Sequence, residues 1–193
     1  GEVHALMGEN GAGKSTLMKI LMGIYTKDEG GEILFDGKPY RASSPKEAMD
    51  QGVAMIHQEL NPILDMTVFE NIFVGRELKK NGLVDTKAEI QEAQRLIAEC
   101  GLHVSPKERL RNLTVAQCQL IEIIKAISLN AKVIIMDEPT AAITDREVGL
   151  LFGHIRRLTA QGVAVIYISH RMDEIFSICD RVSVYRDGQY IGS

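Results

Sequence analysis

Two rhythms of apolar residues alternate along the chain. Short, nearly uninterrupted runs have the length and β-branched content of buried strands: Val3-His4-Ala5-Leu6-Met7, Val53-Ala54-Met55-Ile56, Val133-Ile134-Ile135-Met136 and Val163-Ala164-Val165-Ile166-Tyr167-Ile168. Between them apolar residues recur at helical spacing. Leu17, Ile20 and Leu21 do so up to Gly23, then Ile90, Ala93, Ile97 and Cys100 up to Gly101, then Ile121, Ile124 and Ile127. Helix starts are marked by Ser44-Pro45-Lys46-Glu47 and by the pairs Thr67/Glu70, Thr86/Glu89, Thr114/Gln117 and Thr144/Glu147, each a hydroxyl three residues before a carboxyl or amide. A further short helix begins near His170. Asp36-Gly37 and Asp187-Gly188 predict tight turns in two hairpins.

Strands alternating with helices predict an α/β fold with a mainly parallel sheet covered by helices on both faces. From about Asn61 to Ser128 the character changes to mostly helix, so this stretch reads as a helical subdomain inserted between strands. The expected division is a first core part over 1–60, the helical subdomain over 61–128 and a second core part over 129–193. Only two residues precede the first strand, which is therefore expected to leave a bare sheet edge and to belong to a fragment of a longer protein.

Composition narrows this little. The 193 residues, 45% of them hydrophobic and 25% charged, suffice for a core. No apolar run is long enough to span a membrane, and no signal peptide is evident. A net charge of −4 argues against broad binding to nucleic acid. Cys100, Cys118 and Cys179 lack metal-ligand spacing and read as reduced thiols, mostly core filler.

The chemistry begins at Gly8-Glu9-Asn10-Gly11-Ala12-Gly13-Lys14-Ser15-Thr16, where glycines frame a four-residue gap before Lys and Ser. This is the P-loop pattern, placed between a strand and a helix as its physics requires. Small residues let the backbone aim N–H groups at phosphate oxygens, and the following helix directs its positive end at the same anion. Lys14 adds a full charge, and the Ser15 hydroxyl suits Mg²⁺. The fold is therefore expected to be a P-loop NTPase.

Asp137-Glu138 follows a buried strand, at the sheet edge where α/β folds bind ligands. Adjacent strand residues point to opposite sides, so Asp137 is assigned to the metal and Glu138 to the attacking water. Gln58 and His170 also follow apolar strands; Gln58 can ligate the metal or water, and His170 can donate to a γ-phosphate. Thr114 and Gln117 make Leu113-Thr114-Val115-Ala116-Gln117 a helix N-terminus, a local cap if it stood alone.

Taken in order, these motifs resemble the ATPase cassette of ATP-binding cassette (ABC) proteins over nearly the whole chain. The resemblance implies a Walker A loop at Gly8 to Thr16, a Q-loop glutamine at Gln58 and a signature segment at Leu113 to Gln117. It likewise implies a Walker B aspartate at Asp137, a catalytic glutamate at Glu138 and a switch histidine at His170. ATP and Mg²⁺ are the implied cofactors. Such cassettes pair head to tail, so Thr114, Ala116 and Gln117 are expected at the ATP of a partner cassette, and the helical region at transmembrane permease subunits. His57-Gln58-Glu59-Leu60, Tyr167-Ile168-Ser169-His170-Arg171-Met172 and Cys179-Asp180-Arg181 are similar to the first cassette of bacterial monosaccharide importers. That implies solute import, most naturally of a sugar, from the cytoplasmic side of the cell membrane. It also implies a second cassette in the same chain and, indirectly, a periplasmic or extracellular solute-binding protein, with no nucleic acid partner.

Three departures from the family pattern qualify these expectations. The signature usually reads Leu-Ser-Gly-Gly-Gln, and Val115 and Ala116 replace its glycines, so an Ala116 methyl is expected to crowd the phosphate. Ala141-Ala142-Ile143-Thr144 replaces the usual Ser-Ala-Leu-Asp and loses an aspartate expected to link the two ATP sites. The aromatic residue that stacks on adenine is expected upstream of Gly1. A soluble ABC ATPase acting on ribosomes or DNA remains the alternative, against which the acidic balance weighs. A P-loop kinase or GTPase-like switch would not need the signature segment or the Asp137-Glu138 pair.

Overall fold

The structure, a computed structural model, describes residues 1–56, 62–129, 131–141 and 143–193. The elements run β1 (Val3–Met7), α1 (Lys14–Leu21), β2 (Leu34–Phe35), β3 (Lys38–Pro39), α2 (Pro45–Asp50), β4 (Val53–Ile56) and α3 (Val68–Phe73). They continue through β5 (Lys79–Lys80), β6 (Leu83–Val84), α4 (Thr86–Glu99), α5 (Val115–Ser128), β7 (Val133–Asp137) and α6 (Asp145–Ala160). The chain closes with β8 (Ala164–Ile168), α7 (Met172–Ile178), β9 (Arg181–Arg186) and β10 (Gln189–Gly192).

The main sheet has the order β10-β9-β1-β8-β7-β4, with β10 antiparallel to β9 and the other neighbours parallel. The expected bare edge at β1 is not found. β1 lies inside the sheet, hydrogen-bonded to β8 on one side and to β9, from the far end of the chain, on the other. Sequence proximity to Gly1 carries no information about sheet order, because strand pairing here is long-range.

The strand pleat sorts side chains between two layers. Ile134 and Met136 enter one apolar cluster with Leu120 and Ile123 of α5 and Val148, Leu151 and Ile155 of α6. Ile135 enters the opposite cluster with Met18 of α1, Ala48 of α2 and Leu6. The three β7 residues are fully buried, each contributing about 1.5–3 kcal/mol of apolar burial. A third cluster joins α3, α4 and α5 through Phe69, Ile72, Leu96, Ile97, Ile121 and Ile124. Helix α5 thus has two apolar faces: Cys118, Ile121 and Ile124 turn toward α3 and α4, whereas Leu120, Ile123 and Ala126 turn toward the sheet. The Arg76 guanidinium donates to the carbonyls of Ile72 (2.6 Å) and Ser128 (3.1 Å), placing a cation where both α3 and α5 end.

Local signals hold in most places and slip in three. Ser44 caps α2 with Pro45 at its first position, but the Glu47 carboxylate accepts from Ser43 N (2.8 Å) and Ser43 Oγ (2.6 Å) instead of returning to Ser44. Asp85, not Thr86, caps α4 by accepting from Ala88 N at 3.0 Å. Glu89 is then free of cap duty, and its buried carboxylate accepts from Leu78 N at 3.1 Å. Within the stretch read as helical, Asn81 (φ 53°) and Gly82 (φ 83°) form the turn of the β5–β6 hairpin, an Asn-Gly signal that suits a type I′ turn. All three cysteines are free thiols, Cys100 and Cys118 buried in the core and Cys179 half-buried beside it; burial pushes Cys100 and Cys179 up to about 11. No helix among the described residues is long and apolar enough to cross a membrane.

Candidate functional site

Parallel pairing brings the ends of three neighbouring strands into one row. Leu6 of β1 and Asp137 of β7 both pair with Ile168 of β8. Gly8, Glu138 and His170 therefore lie one or two residues beyond a shared level, at the C-terminal edge of the sheet. β4 runs alongside β7 and ends at Ile56. Gln58, the next predicted site residue, lies outside the described residues.

After β1 the chain turns back on itself before α1. An added Cβ at Gly8 would sit 2.3 Å from the Tyr185 carbonyl oxygen and 2.9 Å from Ala12 Cβ, so only glycine fits. Gly11 and Gly13 take φ of 85° and 96°, and Gly13 is the left-handed residue that opens α1. The Lys14 ammonium donates to the carbonyls of Gly8 (2.6 Å) and Glu9 (3.1 Å). Ala12 N donates to Glu9 O (3.1 Å) and Gly188 N donates to Ala12 O (3.3 Å), which anchors the loop to the β9–β10 hairpin. Asn10, Ser15 and Thr16 are exposed on the same curl. A cradle closed to any Cβ at Gly8, with a lysine at the start of a helix, has the chemistry of a polyphosphate site.

Asp137 is the last residue of β7 and half-buried. Glu138 has already left the strand: its φ is 46°, and its N–H donates to Ile168 O at 2.9 Å. The two carboxylates are thus separated by a left-handed turn, not by the strand pleat on which the sequence argument relied. A bulky residue in this conformation costs on the order of 1–3 kcal/mol and is concentrated at functional sites. The turn brings Glu138 Oε1 to 3.1 Å from His170 Nδ1, with the imidazole otherwise largely exposed.

A buried acid that the sequence analysis did not single out lies behind this pair. Glu174, in the first turn of α7, accepts from Thr140 Oγ1 at 2.7 Å, Tyr167 Oη at 2.8 Å and Ser169 Oγ at 3.0 Å. Arg171 adds an ion pair at 2.9 Å. Burial first, and then the Glu174 charge, push the Tyr167 hydroxyl well above its ordinary value, so it stays protonated and donating. A carboxylate four residues after His170, opening a short helix, was the only sequence trace of this network.

At the start of α5, Thr114 N donates to Gln117 Oε1 (2.9 Å) and Gln117 N donates to Thr114 Oγ1 (3.2 Å). These capping bonds are local. Ala116 does not present its methyl outward: it is buried and borders a small cavity also lined by Gln119, Ile143 and Leu150. Val115, half exposed, is the apolar side chain that this helix end presents. Ala116→Gly is therefore expected to lower stability by about 1 kcal/mol, through lost packing and helix propensity, as read from the midpoint of urea unfolding. An unchanged midpoint would mean that the methyl is not held in the fold.

The order of motifs and this geometry coincide with one known family. The sequence profile described as ABC transporter matches residues 1–141. The chain belongs to the ABC transporter family. It is 56% identical over 195 residues to the ribose import ATP-binding protein RbsA of Geobacillus kaustophilus, a match covering all of this chain and 39% of that protein. It is 54% identical over 188 residues to the galactose/methyl galactoside import ATP-binding protein MglA of Treponema pallidum, covering 97% of this chain and 38% of that one. The chain thus spans about two-fifths of the length of these curated relatives. Among solved structures, a nucleotide-free ATP-binding cassette from an ABC transporter superposes with a TM-score of 0.84 at 28% identity, covering 99% of this chain and 79% of that one. The α/β P-loop fold expected from the sequence is therefore that of an ABC cassette.

Proposed function

We propose that this ABC cassette binds and hydrolyses ATP, and that within a longer protein it powers import of a monosaccharide through membrane permease subunits. The observation that carries the reading is the single row formed by the Gly8–Lys14 cradle, Asp137, Glu138 and His170. The cradle amides and Lys14 hold the phosphates. Glu138 accepts a proton from the attacking water, and His170 orients Glu138 or donates to the γ-phosphate. Ser15 and Asp137 are hard oxygen donors suited to Mg²⁺, which when bound would neutralise charge on the phosphates. Gln58 is assigned to the same metal or water by its place after β4.

The remaining assignments concern the assembly. Residues 61–128 are taken as the helical subdomain that meets the permease, supported by its separate apolar cluster. Thr114, Ala116 and Gln117 would meet the ATP of a second cassette, with Ala116 contributing its backbone. The monosaccharide reading rests on relatives named for ribose and galactose import. The same likeness supports peripheral attachment at the cytoplasmic face and an indirect link to a solute-binding protein.

Purification of the full-length protein from membranes tests the reading. A polytopic permease is expected to co-purify, and ATP hydrolysis by the complex should rise when a sugar-loaded binding protein is added. Recovery with ribosomes or DNA, and no membrane partner, would instead favour a soluble ABC ATPase.

A further inference from the structure

The contact between Glu138 and His170 joins two loops that are themselves short and partly exposed. Beneath them one carboxylate bonds to both loops. Glu174 is 2% exposed. Its Oε1 accepts from Thr140 Oγ1, two residues beyond Glu138, and pairs with the Arg171 guanidinium. Its Oε2 accepts from Tyr167 Oη and Ser169 Oγ. Ser169 Oγ in turn accepts from Arg171 N at 3.1 Å, so both neighbours of His170 are tied to the same acid.

We propose that Glu174 is the positioning residue of the site: it sets the separation of Glu138 and His170 by bonding Thr140 on one loop and Ser169 and Arg171 on the other. This inference rests on the roles assigned above to Glu138 and His170. A carboxylate is suited to the task because it accepts only, and here four donors converge on it. A neutral amide keeps the shape but offers one acceptor oxygen and an NH2 group. That group would face either Thr140 and Arg171 or Tyr167 and Ser169, so the loop that carries His170 would lose a bond in either orientation. Thr140, Tyr167 and Ser169 are themselves buried, so water has little access to replace a lost bond. Misplacement then passes to the residues that each loop carries. The Lys14 cradle lies on a different strand and hydrogen-bonds to none of the four donors, so nucleotide affinity should not follow.

The test is steady-state hydrolysis of ATP by the full-length protein with its co-purifying subunits, for wild type, Glu174→Gln, Glu138→Gln and the double variant. Glu174→Gln is expected to lower kcat about tenfold with KM within about twofold, and to add no further loss in the Glu138→Gln background, because it acts through that residue. An unchanged kcat, a parallel rise in KM, or an undiminished tenfold loss on top of Glu138→Gln would overturn the proposal. Hydrolysis by Glu138→Gln at the wild-type rate would instead sink the assignment of Glu138 itself. If Glu174→Gln does not fold, Thr140→Val decides, since it cuts the bond from the Glu138 loop to Glu174 and leaves the carboxylate in place: lower kcat at constant KM supports the inference, and wild-type kcat overturns it.

Discussion

Glu138→Gln is expected to bind Mg-ATP as the wild type does and to hydrolyse it about 10²-fold more slowly or worse, the scale of a lost general base. The substitution keeps the length of the side chain and the left-handed backbone at φ 46°, so the fold has no reason to change. It replaces the carboxylate oxygen 3.1 Å from His170 Nδ1 by an amide that accepts a water proton very poorly. Binding, read by calorimetry with ATP, and turnover, read by phosphate release, should therefore separate. Near-normal phosphate release would show that another group takes the proton, and the row of strand ends would then be a binding site without its assigned base.

Lys14→Ala should do the converse. Its ammonium is held at the mouth of the loop by the Gly8 and Glu9 carbonyls, where it would meet phosphate oxygens alongside the first amides of α1. A charge-assisted bond of this kind is worth about 1.5–3 kcal/mol, so the Kd for ATP should rise roughly 10- to 100-fold. Alanine is at least as good a helix former as lysine at that position, and Met18 and Leu6, which pack α1 onto the sheet, are untouched. Thermal stability without nucleotide should accordingly be nearly unchanged. An unaltered Kd would remove the cradle from the binding site. Side by side, the two variants separate holding the nucleotide from cleaving it.

Much of this architecture is visible in the chain because it is written locally. The glycine and lysine spacing of residues 8–16, the strand Val133–Met136 and the Thr67/Glu70 and Thr114/Gln117 caps are all decided within a few residues. The errors fall where a second, distant partner decides. Asp85 outcompetes Thr86 as a cap while Glu89 is drawn to Leu78. β1 is interior because β9, nearly 180 residues later, pairs with it. Ala116 is buried at a cavity whose other walls, Ile143 and Leu150, come from beyond the next strand. Asn81-Gly82 is a local turn signal set inside an otherwise helical stretch. The left-handed turn at Glu138 has no local signature, since nothing about glutamate asks for it; the Ile168 carbonyl that receives its N–H does. Glu174 was hidden for the same reason: its four partners come from two segments of the sequence, Thr140 lying 34 residues away.

Helix α5 carries a further consequence. Its fourteen residues include only two charges, Glu122 and Lys125, and these neighbour each other on the single strip left between two apolar faces. A one-residue insertion before Leu120 would rotate everything after it by about 100° and misdirect side chains meant for both interiors at once. Most helices of a layered fold can exchange half their surface for other sequence; this one has almost no surface to exchange. A graft between related cassettes should therefore move α5 together with both of the layers it touches, and place its junctions in the loops on either side.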